Sequence, residues 1–416
     1  MNTRYGNGAE PRQRDNAPVD FGKHPSSVAM EKSPPYAVEY ADGSFDLFGS
    51  GAPLFKIFTR TSADFQRLFK RDPYSLAMDF IRGEFRVEGD LTAAISLYYA
   101  QPQSRMRTRV LTALAKLAAD RLETWFQTKH RAAENIRFHY DRSTDFYGLF
   151  LDSRLVYSCA YFQDPRQSLD EAQLRKLAHI CRKLGLRPGE QFLDVGCGWG
   201  GLLTYAAEEC GALSTGCTLS KEQFNFATRL VTDRGLGPKV RVDLKDYRDI
   251  KGRFDKIASV GMFEHVGRRR LKDYFQKLNR LLRPGGLALN HGITRPENVH
   301  DSPETLFVRR YVFPGGELPR LSTVIRFAEE AGFEVLDVEN LRPHYALTCR
   351  AWVSRLQENA TRCLREVEGL VYRTWLLALA ASALYFEEGL LNLNQVLLYK
   401  PGDPGSRPFT RDYIYG

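Results

Sequence analysis

The chain has no C-x-x-C pair. Its seven cysteines, at 159, 181, 197, 210, 217, 349 and 363, are odd in number and scattered. A zinc cage and a disulfide framework are therefore excluded as the organising device. A reducing, cytoplasmic setting fits that usage. The N-terminus has no apolar h-region, so no secretory leader is expected. No apolar run is long: the longest, Trp375 to Phe386, falls short of the ~20 residues that a bilayer-spanning helix takes. Any membrane work is expected to be done from the surface. Acid is also in short supply, with 50 acidic against 59 basic residues and a net charge of +9. That balance favours acidic partners such as anionic lipid or nucleic acid and says nothing about fold.

What is present suffices for two domains: 416 residues, 43% hydrophobic and 26% charged. Residues 1 to about 38 are polar and rich in Gly, Pro, Asn and Arg, and predict a disordered tail. Ser44-Phe-Asp-Leu-Phe and Leu54-Phe-Lys-Ile-Phe-Thr alternate and predict a hairpin between Gly43 and Thr61. Ser62 is placed to cap the next helix. Asp72 to Asp90 reads as a second helical run broken at Gly83 and Gly89. This is a small α+β domain without a visible catalytic cluster. Across 104–131, Val110, Leu114, Leu117, Leu122, Trp125 and Phe126 recur at helical spacing among seven basic residues. Such a helix either lies on an anionic membrane or packs its stripe on the next domain with a solvated basic face.

The centre of the chain is Gln191-Phe-Leu-Asp-Val-Gly-Cys-Gly-Trp-Gly-Gly201. Gln191 to Val195 predicts a buried strand, and Leu202 to Glu209 predicts a helix. A strand that turns on glycines into a helix makes a nucleotide-binding corner. Gly196, Gly198 and Gly201 satisfy the dinucleotide pattern; Gly196, Gly198 and Gly200 satisfy that of S-adenosylmethionine (SAM) methyltransferases; a tight structural turn is the third reading. Upstream, Glu171 to Gly185 predicts an amphipathic helix. Downstream, strands and helices alternate: strands at 212–219, 240–244, 254–260, 287–290, 333–339 and 391–399, helices at 221–235, 271–282, 321–332, 346–370 and 372–387. That rhythm implies a mostly parallel sheet with helices on both faces. A NAD enzyme wants an acid after the second strand, where Thr215-Gly-Cys-Thr-Leu-Ser220 has none. Glu264 and His265 fall just past the carboxyl end of another strand, where ligands bind in such sheets.

These stretches resemble the cyclopropane-fatty-acyl-phospholipid synthase family, SAM-dependent enzymes that include the mycolic acid cyclopropane synthases. The resemblance rests on Tyr157-Ser-Cys-Ala-Tyr161, Leu193 to Gly200, Thr218-Leu-Ser-Lys-Glu-Gln223, Gly261-Met-Phe-Glu-His-Val-Gly267 and His291-Gly-Ile293. It runs from about 45 to 400. It implies an α/β fold with a Rossmann-like class I SAM methyltransferase sheet, mostly parallel and seven-stranded, behind a small N-terminal α+β domain. The implied division is a tail at 1–38, a lipid-presenting domain and linker helix at 39–130, the catalytic domain at 131–400 and a C-terminal tail at 401–416. It implies transfer of a SAM methyl carbon to the cis double bond of an acyl chain in a membrane phospholipid. A carbocation then loses a proton to bound bicarbonate and closes a cyclopropane.

By the same resemblance, Cys159, Glu264, His291, Tyr345 and the backbone of Ile293 would cage the bicarbonate, with no metal. His291, Tyr345 and the Cys159 N–H or S–H can donate to an anion, and Glu264 can accept. For SAM, Asp194, Gly196, Gly198 and Gly200 would hold the methionine end, reached also by Tyr157 and Ser158. Thr218 and Gln223 would serve the ribose, and Asp246 and Tyr247 the adenine. Other readings stand beside these. Cys159 reads equally as a buried hydrophobe, Glu264 and Thr218 as helix caps, His291 as a satisfied histidine and Tyr345 as core. Phe146, Tyr147, Phe150, Tyr161 and Phe162 are candidates for an acyl channel, or for core. The expected partners are unsaturated phospholipid acyl chains and an anionic membrane surface, with no nucleic acid and a homodimer as the assembly. The expected location is the cytoplasm, peripheral to the inner face of the membrane. A lipid methyltransferase that stops at a methyl or methylene branch, and a silent lipid-binding relative, are the alternatives.

Overall fold

A computed structural model describes residues 34–100, 144–297, 318–402 and 407–415. The basic helix expected over 104–131 lies outside the described residues. The chain divides into two compact units.

The N-terminal unit holds β1 (Tyr36–Tyr40), β2 (Phe45–Phe48), β3 (Phe55–Thr59), β4 (Arg86–Gly89), α1 (Ser62–Leu68), α2 (Pro73–Arg82) and α3 (Leu91–Ala100). The expected hairpin between β2 and β3 does not form. β1 lies between them in the order β2-β1-β3-β4, antiparallel to β2 and parallel to β3. Tyr36 at the start of β1 explains the order, because its ring stacks on Phe48 at 4.7 Å and on Phe55 at 5.3 Å. Tyr36 to Val38, the end of the stretch expected to be a disordered tail, thus belong to an inner strand of the sheet. Thr61, not Ser62, caps α1, by accepting from the Asp64 N–H. The second run is helical only to Arg82. Gly83 closes it at φ +80°, and Arg86 to Gly89 pair with β3 as an edge strand.

The larger unit carries a seven-stranded sheet of β5 (Gln191–Val195), β6 (Leu213–Thr218), β7 (Val240–Leu244), β8 (Phe254–Val260), β9 (Leu282–Thr294), β10 (Glu334–Asn340) and β11 (Asn392–Tyr399). Their order is β10-β11-β9-β8-β5-β6-β7, parallel except for β11, which runs antiparallel to β9 and β10. Strand alternation sends Phe192 to one face and Leu193 and Val195 to the other. α5 (Leu169–Leu184) and α6 (Gly201–Glu209) cover the first face through Leu177, Ile180, Leu184, Leu202 and Ala206. α8 (Leu271–Leu281) and α9 (Leu321–Glu330) cover the second through Tyr274, Phe275, Leu278, Val324 and Ala328. Between the two sets, α7 (Lys221–Asp233) joins β6 to β7. β9 is longer than expected at both ends. It begins in Arg283-Pro-Gly-Gly and continues through His291, Gly292 and Ile293, which pair with Gln395, Asn394 and Leu393 of β11.

A short α4 (Thr144–Gly148) precedes the sheet, and α10 (Arg342–Glu358), α11 (Ala360–Glu366) and α12 (Gly369–Glu387) lie between β10 and β11. α10 starts at Arg342-Pro343, earlier than expected, since Pro at a first helical position is pre-set for the turn. α12 is long and apolar enough by length and composition to cross a membrane, and half of its apolar window is buried inside the unit. The last residues are also held: α13 (Asp412–Tyr415) buries Ile414, and Arg411 donates to the Leu336 carbonyl of β10.

Candidate active site

The glycine turn follows from the end of β5. Gly196 and Cys197 both donate backbone N–H to the Cys217 carbonyl of β6. This bends the chain back through Gly196, Gly198 and Gly200 at φ +80°, +54° and +88°, where only glycine sits without strain. Gly200 caps α6 with no side chain, so the first N–H groups of that helix stay open. A Cβ at Gly198 would meet no heavy atom within 4 Å, so the turn borders open space. That is a cradle for a ligand bearing polar acceptors. Asp194, the last acid of β5, is buried, and burial lifts its carboxyl to about 7 against the pull of Lys176.

Thr218 ends β6. Its hydroxyl donates to Gln223 Oε1 at 2.8 Å, so the Gln223 amide oxygen is engaged. The cap of α7 is Ser220, not Thr218. Asp246 is already engaged: its carboxylate binds the Arg248 guanidinium and caps the turn at 247–249. Neighbouring Tyr247 packs edge-on to Tyr274 at 5.7 Å.

Val156 to Phe162 form an irregular loop held from two sides. From α5, Gln173 donates to the carbonyls of Val156 and Ser158, and Lys176 donates to Ser158 Oγ at 2.9 Å. From α10, Thr348 accepts from the Ala160 N–H and His344 Nδ1 accepts from the Phe162 N–H. Cys159 is thereby fully buried, and burial pushes its thiol far above the ordinary range. Its S–H donates to its neighbour's carbonyl, Ala160 O, at 3.2 Å. The thiol is therefore no nucleophile, and only its backbone N–H remains to meet an anion.

Glu264 lies in a 3-10 turn just past β8. Its Oε1 accepts from the Ile293 N–H at 2.7 Å, while the buried Oε2 has no partner among the described residues. Burial raises this carboxyl to about 7. The Ile293 N–H, expected to meet an anion directly, is thus taken by Glu264. The close approach depends on Gly292, where a Cβ would fall 1.9 Å from the Phe263 ring and 2.9 Å from Glu264 Oε1. His291 is fully buried on β9. Gln395 Nε2 lies 3.1 Å from the His291 Nδ1, and the His291 Nε2 has no partner among the described residues. Burial, then the Lys176 and Lys183 charges, hold the ring neutral. With Nδ1 accepting from Gln395, the open Nε2 carries the proton and is a donor. Tyr345, one turn into α10, stacks on Phe386 at 4.5 Å. Its phenol is raised by burial and then by Cys349, Cys159, Tyr157 and Glu264, so each of these groups lies within electrostatic reach of Tyr345.

The aromatic candidates separate. Phe146, Tyr147, Phe150 and Tyr157 pack together, with Tyr147 also 4.8 Å from the ring of Trp199 in the glycine turn. Tyr161 is elsewhere, stacked between His179 and His344. Sequence reasoning missed Gln173, Lys176, Gly292 and Gln395, all of which position the expected residues. The signal available for Lys176 was a cation at i+3 from Gln173 on the inward face of an amphipathic helix.

A parallel sheet with an antiparallel penultimate position in space, and a strand-glycine turn-helix at its centre, defines a class I SAM-dependent methyltransferase. The family model for mycolic acid cyclopropane synthetase matches residues 127–396. A probable fatty acid methyltransferase of Pseudomonas putida is 43% identical over 348 residues, covering 82% of this chain and 86% of that protein. Cyclopropane mycolic acid synthase 1 of Mycobacterium tuberculosis is 37% identical over 277 residues, covering 64% of this chain and 96% of that one. The crystal structure of mycolic acid cyclopropane synthase CmaA1 complexed with SAH and CTAB superposes with a TM-score of 0.62 at 36% identity, covering 64% of this chain and 98% of that one. The chain belongs to the mycolic acid cyclopropane synthetase family of SAM-dependent lipid methyltransferases.

Proposed function

We propose that this enzyme transfers the SAM methyl carbon to the cis double bond of an acyl chain in a membrane phospholipid and closes a cyclopropane ring, with bicarbonate as the bound base. The observation that carries this reading is a pair of buried polar atoms without partners, Glu264 Oε2 and His291 Nε2. Leaving such atoms unpaired costs about 1–3 kcal/mol each, and a ligand that pairs with both would recover that cost. They fit an anion that still carries a proton: His291 Nε2–H donates, and Glu264 accepts or shares a proton near neutrality. When bound, SAM supplies an electrophilic methyl group on a sulfonium, and bicarbonate supplies a base.

The chain's own residues bind, orient and exclude water. Gly196, Gly198, Gly200 and Asp194 receive the methionine end, with Tyr157 and Ser158. Thr218 and Gln223 receive the ribose, and Asp246 and Tyr247 flank the adenine. The Cys159 N–H, Tyr345 and His291 face the anion with donors, and Glu264 holds its position through Ile293. No side chain serves as a nucleophile toward the methyl group. The aromatic walls around Tyr147, Tyr157 and Trp352 keep water from the reacting carbon. The net charge of +9 supports peripheral work on an anionic surface at the inner face of the membrane.

A second reading is a lipid C-methyltransferase that leaves a methyl or methylene branch, favoured by the 43% identity to a probable fatty acid methyltransferase. The choice depends on which carbon loses the proton. The test is incubation with SAM and unsaturated phospholipid vesicles, followed by mass spectrometry and proton NMR of the fatty acids. High-field ring methylene protons support the first reading, a branched chain moves the assignment to the second, and no SAM consumption overturns both.

A further inference from the structure

α5 buries a lysine that nothing in the reaction uses. Lys176 is 1% exposed, yet no ion pair to a carboxylate forms at it among the described residues. Its hydrogen bond runs to Ser158 Oγ at 2.9 Å. A buried ammonium is expensive, and one without an ion-pair partner calls for a reason. The charge sits at a junction: it acts on Asp152, Cys159, Asp194 and His291, four groups from three other segments of the chain. The loop it touches also packs directly on the glycine turn, since a Cβ at Gly201 would fall 2.8 Å from Val156 Cγ2 and 3.2 Å from the Arg154 carbonyl.

An ammonium can only donate. Ser158 Oγ must therefore accept from Lys176, and no described residue accepts the Ser158 proton in turn. The hydroxyl is left with a single function, donating to an incoming acceptor. Gln173, one turn earlier on α5, fixes the backbone of the same residue through its carbonyl, so the hydroxyl is held at both ends.

We propose that Lys176 is a positioning residue for SAM, which polarises the Ser158 hydroxyl and aims its proton at the methionyl carboxylate. The inference rests on the reading that Ser158 contacts the methionine end. It adds a cation that never touches the ligand but sets the direction of the group that does. Burial lowers the Lys176 ammonium to about 8, with Asp152, Cys159 and Asp194 opposing that shift, so the aiming weakens in mildly alkaline solution.

The experiment is calorimetric titration of the full-length protein with SAH, for wild type, Lys176→Met, Ser158→Ala and the double variant. Each single variant is expected to weaken SAH binding about tenfold, and the double to be no weaker than either single within twofold, because both remove one hydrogen bond. A merely structural lysine would lower the melting temperature and give losses that multiply in the double variant, which overturns the proposal. Lys176→Met binding within twofold of wild type while Ser158→Ala is weak also overturns it and leaves the Ser158 reading intact. No loss in Ser158→Ala overturns both. If Lys176→Met does not fold, wild type and Ser158→Ala are compared between pH 7 and 9. Titration of the SAH amine, Asp194, Glu264 and His291 is common to both proteins. A steeper loss in wild type supports the proposal, and parallel curves overturn it.

Discussion

Two glutamates of the catalytic unit, Glu264 buried and Glu339 half-buried, meet opposite fates. Glu339, near the end of β10, accepts from His179 at 2.7 Å and from Lys183 at 2.7 Å, and Lys183 also holds Asp337 at 3.0 Å. Burial alone would raise its carboxyl, but the His179 hydrogen bond and the Lys183 charge reverse this and bring it down to about 2. Glu264 accepts only from backbone N–H groups, its second oxygen has no partner among the described residues, and burial brings it up to about 7. One fold therefore contains a polar cluster closed on itself and another left open. The closed cluster contributes to stability, and under the proposed function the open one is a receptor that costs stability until it is filled. A perturbed carboxyl alone does not mark a site; the perturbation must come from a missing partner.

The largest effect expected from this contrast is on turnover. Glu264→Gln should lower kcat by about 10²–10⁴-fold, the usual range for a group that manages a proton. SAH affinity, measured by calorimetry, should stay within about threefold. Glu339→Gln should change kcat by less than about threefold under the same assay. Comparable losses in both variants would erase the distinction.

Next comes stability, with signs worked out separately. Glu339 lies below its ordinary value in the folded state, so its contribution is present above pH 4.5 and is lost as pH falls toward 2. Glu264 lies above its ordinary value, so its penalty grows as pH rises from 4.5 through 7. At pH 8 denaturant unfolding should show Glu339→Gln less stable by about 3 kcal/mol and apo Glu264→Gln more stable by a smaller amount. Shifts of the same sign would sink the comparison. Gly292→Ala should cost about 1–3 kcal/mol by overpacking against Phe263, and should lower turnover with it by displacing Glu264. A variant with wild-type melting and activity would show that the turn has room to move. The smallest effect belongs to Gln395→Leu. Loss of its bond to Nδ1 frees the His291 tautomer and should reduce turnover about tenfold without changing the fold, as steady-state rates against circular dichroism would show.

Much of the site could be read in advance because its chemistry is local. The strand, glycine turn and helix at 191–209 lie together in the chain, and those glycines permit the positive-φ turn that other residues resist. Other features depended on distant partners. β1 enters the small sheet between strands that look like a hairpin, because Tyr36 stacks on both of them. Helical periodicity showed α5 as amphipathic, yet Gln173, Lys176, His179 and Lys183 on it are buried. Their partners are Val156, Ser158, Asp337 and Glu339, the last two over 150 residues away in sequence.

By itself, then, the sequence determined the class of enzyme and the residue types at its centre, since both follow from short-range pattern. Only the tertiary structure decided which of those residues are paired. It gave the Ile293 N–H to Glu264, tied up Asp246 with Arg248, turned the Cys159 thiol toward a carbonyl and left Glu264 Oε2 and His291 Nε2 open. The physical reason is that a buried donor or acceptor is satisfied by whatever the fold brings within about 3 Å of it, and chain order does not encode that distance.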